Sequence, residues 1–472
     1  MDKIYYYDSA DMRHKNKGKI EQIRNNIDEM FSFNDKVWPM TSSGAGAFGN
    51  PDITMQPIPH VVPDVDLLKR YKVLPDDIVH FEKLDDAYDL KPGQVVMIPL
   101  WEAAKMPLDY YKYIKDNNCY VLFDYVYETY LPIAQKFFCW LFNKIGTLEN
   151  FIVMESGSIT QYPDDSVYKF LKERFKLNFV FVNWFRYHDW PRSCNFMRRI
   201  GCCDDSNTLT TPKADNPLFT EYKWKHDFIF LNRSPKVHRI YMLMYAVANG
   251  LVAKNMVTGR FTINSRKNNE VQVNPNDIEG IKMRLERLGD LPMDFDEFAR
   301  KLPIKVRDDC DENKGEVIDD RFMPFEWIQK VPLHLTSETM FSKNDVGYHR
   351  VFPGVDKQNK HYKTFVTEKS YKPLMYGRPQ IIASAPHHLK ALRSMGFDTL
   401  DDFIDNSYDK IEDDGMRMKA VLQSFENFDA NVFKDPIFID KLRHNMSVYY
   451  NKNEIIKIWD KSLSVIEEII SR

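Results

Sequence analysis

Short unbroken apolar runs alternate along the chain with stretches whose apolar residues recur at helical spacing. In the first half, "GQVVMIPLW" (93–101), "CYVLFDY" (119–125), "NFIVMES" (150–156) and "NFVFVNWF" (178–185) read as buried strands. Between them, "LDYYKYIKDNN", "ETYLPIAQKFFCWLFNKIG" and "DSVYKFLKERF" carry the three-and-four spacing of amphipathic helices. Strands apolar on both faces, each followed by a helix, predict a parallel sheet covered on two sides. The functional groups of such a sheet gather at the carboxyl ends of its strands.

Residues 202–225 break this rhythm with polar turn formers and two prolines, and read as an interdomain linker. A second α/β series follows, from "HDFIFLNRS" (226–234) and "VHRIYMLMYAVANGL" through "KVPLHLTSET" (330–339) and "RPQIIASA". Residues 265–330 look charged and irregular, with a surface loop at 307–320. The closing "NEIIKIWDKSLSVIEEIISR" is an amphipathic helix expected to pack back across the domain interface. The predicted organisation is α/β, with two Rossmann-like domains at 1–215 and 216–450 and a C-terminal crossover helix at 451–472.

Composition narrows this further. At 472 residues the chain exceeds what one core organises, and a hydrophobic content of 43% is enough for two. A net charge of −3 excludes a strongly basic nucleic-acid wrapper but leaves room for a local basic groove. Six cysteines without a C-x-x-C pair read as free thiols in a reducing compartment. The first residues hold no apolar signal core, and no apolar stretch is long enough for a bilayer. A soluble, cytoplasmic protein with no membrane span is expected.

One motif misleads. "SSGAGAFGNP" (42–51) places Gly44, Gly46 and Gly49 as G-x-G-x-x-G, the letters of a dinucleotide turn. That turn needs a strand before it and a helix within it. Here Pro39 precedes it, and Pro51, Pro57, Pro59 and Pro63 follow, so no helix continues. The segment reads as a Gly/Pro loop.

A better nucleotide site lies at 364–386, "TFVTEKSYKPLMYGRPQIIASAP". Thr367 is a good N-cap with Glu368 in the first turn, and the helix N-terminus is expected to offer free N–H groups to a diphosphate. Lys369 and Lys372 add charge, Pro373 bends the helix, and Gly377 ends it. Pro386 then opens another helix that closes at Gly396. "FLNRSPKVHR" (230–239) places Asn232, Arg233, Lys236 and Arg239 at the end of the domain's first strand. "HLTSET" places Glu338 at the end of another, where a carboxylate can accept both hydroxyls of a ribose.

The order "LNRSPKVHR … HLTSET … FVTEKSYKPLMYGRPQII … LRSMGFDTLDDFIDNSYDKI" resembles phage and bacterial glycosyltransferases of the two-domain GT-B type. It is also distantly similar to the donor domain of α1,3-fucosyltransferases. The likeness covers about residues 226–412. It implies a nucleotide-sugar donor bound by Arg239, Glu368 and Lys369, with Asn232, Arg233 and Glu338 close by and Thr367 and Lys372 on the same helix. The donor is a substrate, a UDP- or GDP-sugar, and no tightly bound cofactor is expected.

Glycosyl transfer to a hydroxyl needs a base, expected from the first domain. Asp124 and Glu128 come first, ahead of Glu155 and the His188–Asp189 pair. The Asp-x-Asp pairs at 64/66, 294/296 and 309/311 are coincidences of an aspartate-rich chain, so no metal is expected. A basic arm (Arg13, Lys15, Lys17, Lys19, Arg24) beside the glycine loop with Phe48 suits a nucleic-acid backbone and a displaced base. T-even-like phages glycosylate hydroxymethylated cytosine in double-stranded DNA with GT-B enzymes, which makes such DNA the leading acceptor. A surface polysaccharide or lipid-linked glycan is the rival. A non-catalytic two-domain binding protein is the alternative of another class. The sequence leaves oligomeric state open.

Overall fold

The computed structural model describes residues 3–6, 80–84, 87–99, 103, 106–125, 131–155, 166–181, 224–232, 235–259, 261–263, 271–273, 278–304, 325–342 and 366–472. The chain divides into two compact units. One comprises Met1–Pro191, Val346–Lys363 and Lys452–Arg472, and the other Arg192–Asp345 and Thr364–Asn451. The boundary expected at 215/216 falls outside the described residues.

In the first unit, β1 (Lys3–Tyr6), β2 (His80–Lys83), β3 (Val95–Pro99), β4 (Tyr120–Tyr125), β5 (Phe151–Glu155) and β6 (Asn178–Phe181) form one sheet. Helices α1 (Leu108–Asp116), α2 (Leu131–Ile145) and α3 (Ser166–Phe175) connect its later strands. The order is β2-β1-β3-β4-β5-β6, and every pairing is parallel. Val95, Val96, Met97 and Ile98 are all buried, as a strand covered on both faces requires. Phe123 stacks on Phe151 at 5.9 Å while Phe137 from α2 meets Phe123 edge-on at 5.6 Å, so helix and sheet share one aromatic core. The apolar runs at 93–101, 119–125, 150–156 and 178–185 each contain one of these strands. β1 and β2 precede them and were not legible, because each is only four residues long in a polar stretch.

The second unit is built on β7 (Phe228–Asn232), β8 (Met256–Gly259), β11 (Leu333–Ser337) and β12 (Gln380–Ala383), all parallel, in the order β12-β11-β7-β8. A separate parallel pair joins β9 (Phe261–Ile263) to β10 (Val271–Val273). Its helices are α4 (Val237–Ala248), α5 (Ile278–Glu286), α6 (Phe295–Arg300), α7 (Phe325–Gln329), α8 (Glu368–Met375), α9 (His388–Ser394), α10 (Asp414–Glu426) and α11 (Pro436–Tyr449). α12 (Lys452–Ile470) closes the chain and belongs to the first unit, where Tyr120 Oη donates to Ile470 O at 3.3 Å.

Within the stretch 265–330, residues 278–304 form more regular structure than their charge pattern predicts, and the loop expected at 307–320 lies outside the described residues. α5 and α6 bury Ile281, Leu285, Phe295 and Phe298, and α5–α6 pack on α4. Their apolar residues are too few per turn to stand out from the charged ones around them. No helix among the described residues is long and apolar enough to cross a membrane.

Both main sheets reverse direction once. In the first, the chain steps from β1 out to β2, then returns to the far side of β1 for β3. In the second it steps from β7 to β8, then returns to the far side of β7 for β11. Such reversals open a crevice at the carboxyl edge where ligands of doubly wound sheets bind. The crevices lie between β1 and β3, and between β7 and β11.

Candidate functional site at the second sheet's switch point

Asn232 ends β7, and Ser337 ends β11 beside it. Ser337 Oγ donates to Asn232 Oδ1 at 2.8 Å, and the Asn232 N–H goes to Thr258 Oγ1 on β8 at 3.1 Å. Asn232 is 3% exposed, yet its Nδ2 meets no acceptor among the described residues. α4 follows β7 and brings His238 and Arg239 into the same place. His238 Nε2 donates to Glu338 O at 2.8 Å, and Arg239 Nη2 donates to Ser337 O and Glu338 O at 3.3 and 3.1 Å. Both side chains are buried and tie the first turn of α4 to the end of β11.

Glu338 is fully buried, and each of its oxygens accepts two hydrogen bonds. Oε1 takes Thr367 N at 3.1 Å and Ser370 Oγ at 2.5 Å, while Oε2 takes Thr367 Oγ1 at 2.7 Å and Thr339 N at 3.1 Å. The expectation that Glu338 receives ribose hydroxyls is therefore corrected: its lone pairs already hold the start of α8. Ser370 gives its one proton to Glu338, so His388 Nε2, 2.9 Å away, carries the hydrogen that it donates to Ser370 Oγ.

α8 begins where the sequence predicts, with Thr367 at the N-cap accepting Lys369 N at 3.2 Å. Ser370 N and Tyr371 N close onto Thr367 O, at 3.1 and 3.3 Å. Thr367 N is taken by Glu338, and the Glu368 N–H by its own carboxylate. The free N–H groups expected here for a diphosphate are accordingly absent from this helix end. What remains open is charge. Lys369 Nζ pairs with Glu368 Oε1 at 2.7 Å, with Thr367 Oγ1 and Thr339 Oγ1 at 3.3 and 3.5 Å. Burial works to raise the Glu368 pKa, but Lys369 and then Lys372 outweigh it and hold the carboxyl down at about 2. Glu368 stays 26% exposed and Lys369 31%, so an ionised carboxylate and an ammonium both face solvent.

Phe341, just beyond β11, lies between two groups that sequence reasoning did not single out. His238 stacks on it at 5.3 Å, and the Arg417 guanidinium lies over it at 4.4 Å. Arg417 also donates to Ser384 O, Ile411 O and Phe341 O at 3.1, 2.7 and 2.6 Å. The loops after β11 and β12 are thus pinned from beneath. No local signal marks Arg417, because its partners come from three separate segments.

The remaining predicted positions are quickly placed. Arg233, Glu128, His188, Asp189 and the 42–51 loop lie outside the described residues. Asp124 is a β4 backbone position paired with Pro99 and Met154, at the carboxyl edge of the first sheet and one strand beyond β3. Glu155 ends β5. Asp294 is the N-cap of α6, accepting Glu297 N at 2.8 Å, and Asp296 lies 3.6 Å from Lys282. Among the described residues no group of three or more His, Cys, Asp or Glu is arranged to hold a metal ion.

Together these observations define a mixed α/β protein with parallel, doubly wound sheets and a charged cluster at one topological switch point. No protein-family model matches the sequence, and no curated protein or solved structure matches it.

Proposed function

We propose that the protein is a nucleotide-sugar-dependent glycosyltransferase of the GT-B type, passing a sugar from a UDP- or GDP-sugar to an acceptor hydroxyl. The observation that carries this reading is the convergence of Arg239, Glu368 and Lys369 on the carboxyl edge between β7 and β11. A leaving diphosphate needs fixed cations, and a ribose needs an ionised carboxylate. Lys369 supplies one, and Glu368 the other. Arg239 holds the end of β11, whose neighbour Glu338 anchors the start of the helix that carries them. The base that removes the acceptor's proton comes from Asp124 or Glu128 in the first unit, Asp124 being a backbone position near the carboxyl end of β4. The leading acceptor is hydroxymethylated cytosine in phage double-stranded DNA, read by the basic arm and glycine loop.

The test is the melting temperature with UDP, GDP, ADP, TDP and CMP. A nucleotide at a hundred times its dissociation constant stabilises by about 2.7 kcal/mol. The expected result is a shift with one diphosphate, largely lost in Lys369→Ala. No shift with any of them sinks the reading. With the right sugar nucleotide and hydroxymethylated DNA, either Asp124→Asn or Glu128→Gln is then expected to lower turnover by about a hundredfold or more. Near-normal turnover in both removes them from the chemistry.

A further inference from the structure

Two hydrogen-bond chains converge on the Glu338 carboxylate from opposite sides. Its four partners among the described residues are two backbone N–H groups and two hydroxyls, none of them charged. A buried carboxylate held by neutral donors depends on each of them. A hydroxyl has one proton to give. Thr367 Oγ1 gives its proton to Glu338 and accepts from Lys369 N and Lys369 Nζ at 3.2 and 3.3 Å. Ser370 Oγ gives its proton to the other Glu338 oxygen and accepts from His388 Nε2 at 2.9 Å. The partly exposed Lys369 ammonium and the buried His388 imidazole are therefore the two ends of one chain, Lys369–Thr367–Glu338–Ser370–His388.

The buried end of that chain is fixed from outside α8. His388 opens α9, and Asp409 accepts the N–H groups on both sides of it. His387 N bonds Asp409 O at 2.7 Å, while Leu389 N and Lys390 N bond its carboxylate at 2.8 and 3.1 Å. The imidazole is thus held by the α9 side, and its Nε2–H sets where the Ser370 hydroxyl stands. Ser370 follows Glu368 and Lys369 directly in the first turn of α8. Donation from Nε2 is what leaves the Ser370 proton on Glu338. The other tautomer would draw that proton to Nε2 and strip the carboxylate of one donor.

We infer that His388 is a positioning residue for the charged pair on α8: through Ser370 and Glu338, its Nε2–H sets the Thr367 cap and with it the orientation of Glu368 and Lys369 toward a ligand. The inference rests on the glycosyltransferase reading for what Glu368 and Lys369 bind, and on the hydrogen-bond geometry for the rest. At 1% exposure His388 meets no ligand itself. Its effect on binding passes entirely through the chain.

The experiment is a double-mutant cycle on the full chain, read by calorimetric titration with UDP and GDP. His388→Met removes the donor, His388→Gln supplies an amide N–H in its place, and Ser370→Ala cuts the chain at its middle. His388→Met and Ser370→Ala are each expected to weaken the nucleotide by about tenfold, and the double variant by no more than about twofold beyond either. His388→Gln restores affinity to within about threefold of wild type. Effects that add, no rescue by His388→Gln, or wild-type affinity in Ser370→Ala each overturn the inference. Ser370→Ala decides alone where His388→Met does not fold.

Amide hydrogen exchange of the ligand-free chain is the second readout. Thr367 N–H and Lys369 N–H are expected to exchange about tenfold faster in Ser370→Ala and His388→Met, with the β7 and β11 amides unchanged. Faster exchange with wild-type affinity confines the chain to helix support and overturns the inference. A wild-type protein that binds neither nucleotide removes the glycosyltransferase reading, and exchange then decides by itself. Unchanged protection at Thr367 and Lys369 overturns the inference, and faster exchange upholds the link from His388 to the Lys369 position.

Discussion

His238, His334 and His388 are buried in the second unit and held neutral there. Burial lowers the pKa of His238, with the Arg239 charge adding to it. Burial, then Arg378, brings His334 down to about 3. His388 is lowered by burial in spite of Glu338 and Asp409 nearby. An unfolded histidine takes up a proton near pH 6.5, whereas these three refuse it in the fold. Stability is therefore complete above about pH 6.5 and falls as pH is lowered toward their folded values, by up to about 1.4 kcal/mol per pH unit for each. The melting temperature is expected to drop steeply from pH 7 to pH 5. His334→Gln removes one of the three contributions and flattens the slope; an unchanged slope would show that His334 is not held neutral. Residue types such as Glu368, Lys369 and Arg239 were readable as charged groups near strand ends. That Glu338 is consumed internally was not, because four donors from three residues, two of them some thirty positions away, have to arrive before its lone pairs are filled.

α8 shows how much an element can owe to its own letters. Thr367 caps it, and Gly377 at φ 59° ends it. Arg378 N then bonds Pro373 O at 2.8 Å and Gly377 N bonds Leu374 O at 3.1 Å, the paired closure of a Schellman motif. Thr367→Ala is expected to destabilise the chain by about 2 kcal/mol in urea unfolding, above the ~1 kcal/mol of an ordinary cap, since Glu338 loses a donor with it. Thr367→Ser restores most of this. Equal stability of Thr367→Ala and wild type would mean that the cap and Glu338 are not coupled. α9 follows the opposite logic. It begins at His388 and not beside Pro386, because His387 adopts φ 65° and the Asp409 carboxylate caps Leu389 N and Lys390 N at 2.8 and 3.1 Å. A cap supplied from twenty positions downstream leaves no mark in the local sequence.

Across the whole molecule, the C-terminal helix returns to the unit in which the chain begins. α12 buries Leu463, Ile466 and Ile469 and packs against β6. Three such side chains are worth roughly 1.5–3 kcal/mol apiece, a large share of a domain's net stability. Ending the chain at Asn451 is expected to lower the melting transition of the first unit by several degrees or bring on aggregation, while the nucleotide-induced shift of the second unit persists. A truncated chain with an unaltered first transition would show that α12 adds nothing to that unit.

By itself the sequence determined the alternation of strand and helix, the parallel sheets, the caps of α8 and the charged letters at the strand ends. These follow from periodicity and short-range chemistry, which act within a few residues. Only the tertiary structure decided the strand orders, and with them the place of each switch point, since the reversal from β8 back to β11 joins residues more than seventy positions apart. It also decided that the start of α8 is closed by the Glu338 carboxylate. A lone pair or an N–H is filled by whichever group the fold brings within hydrogen-bond reach, and that is a property of distance in space, not along the chain.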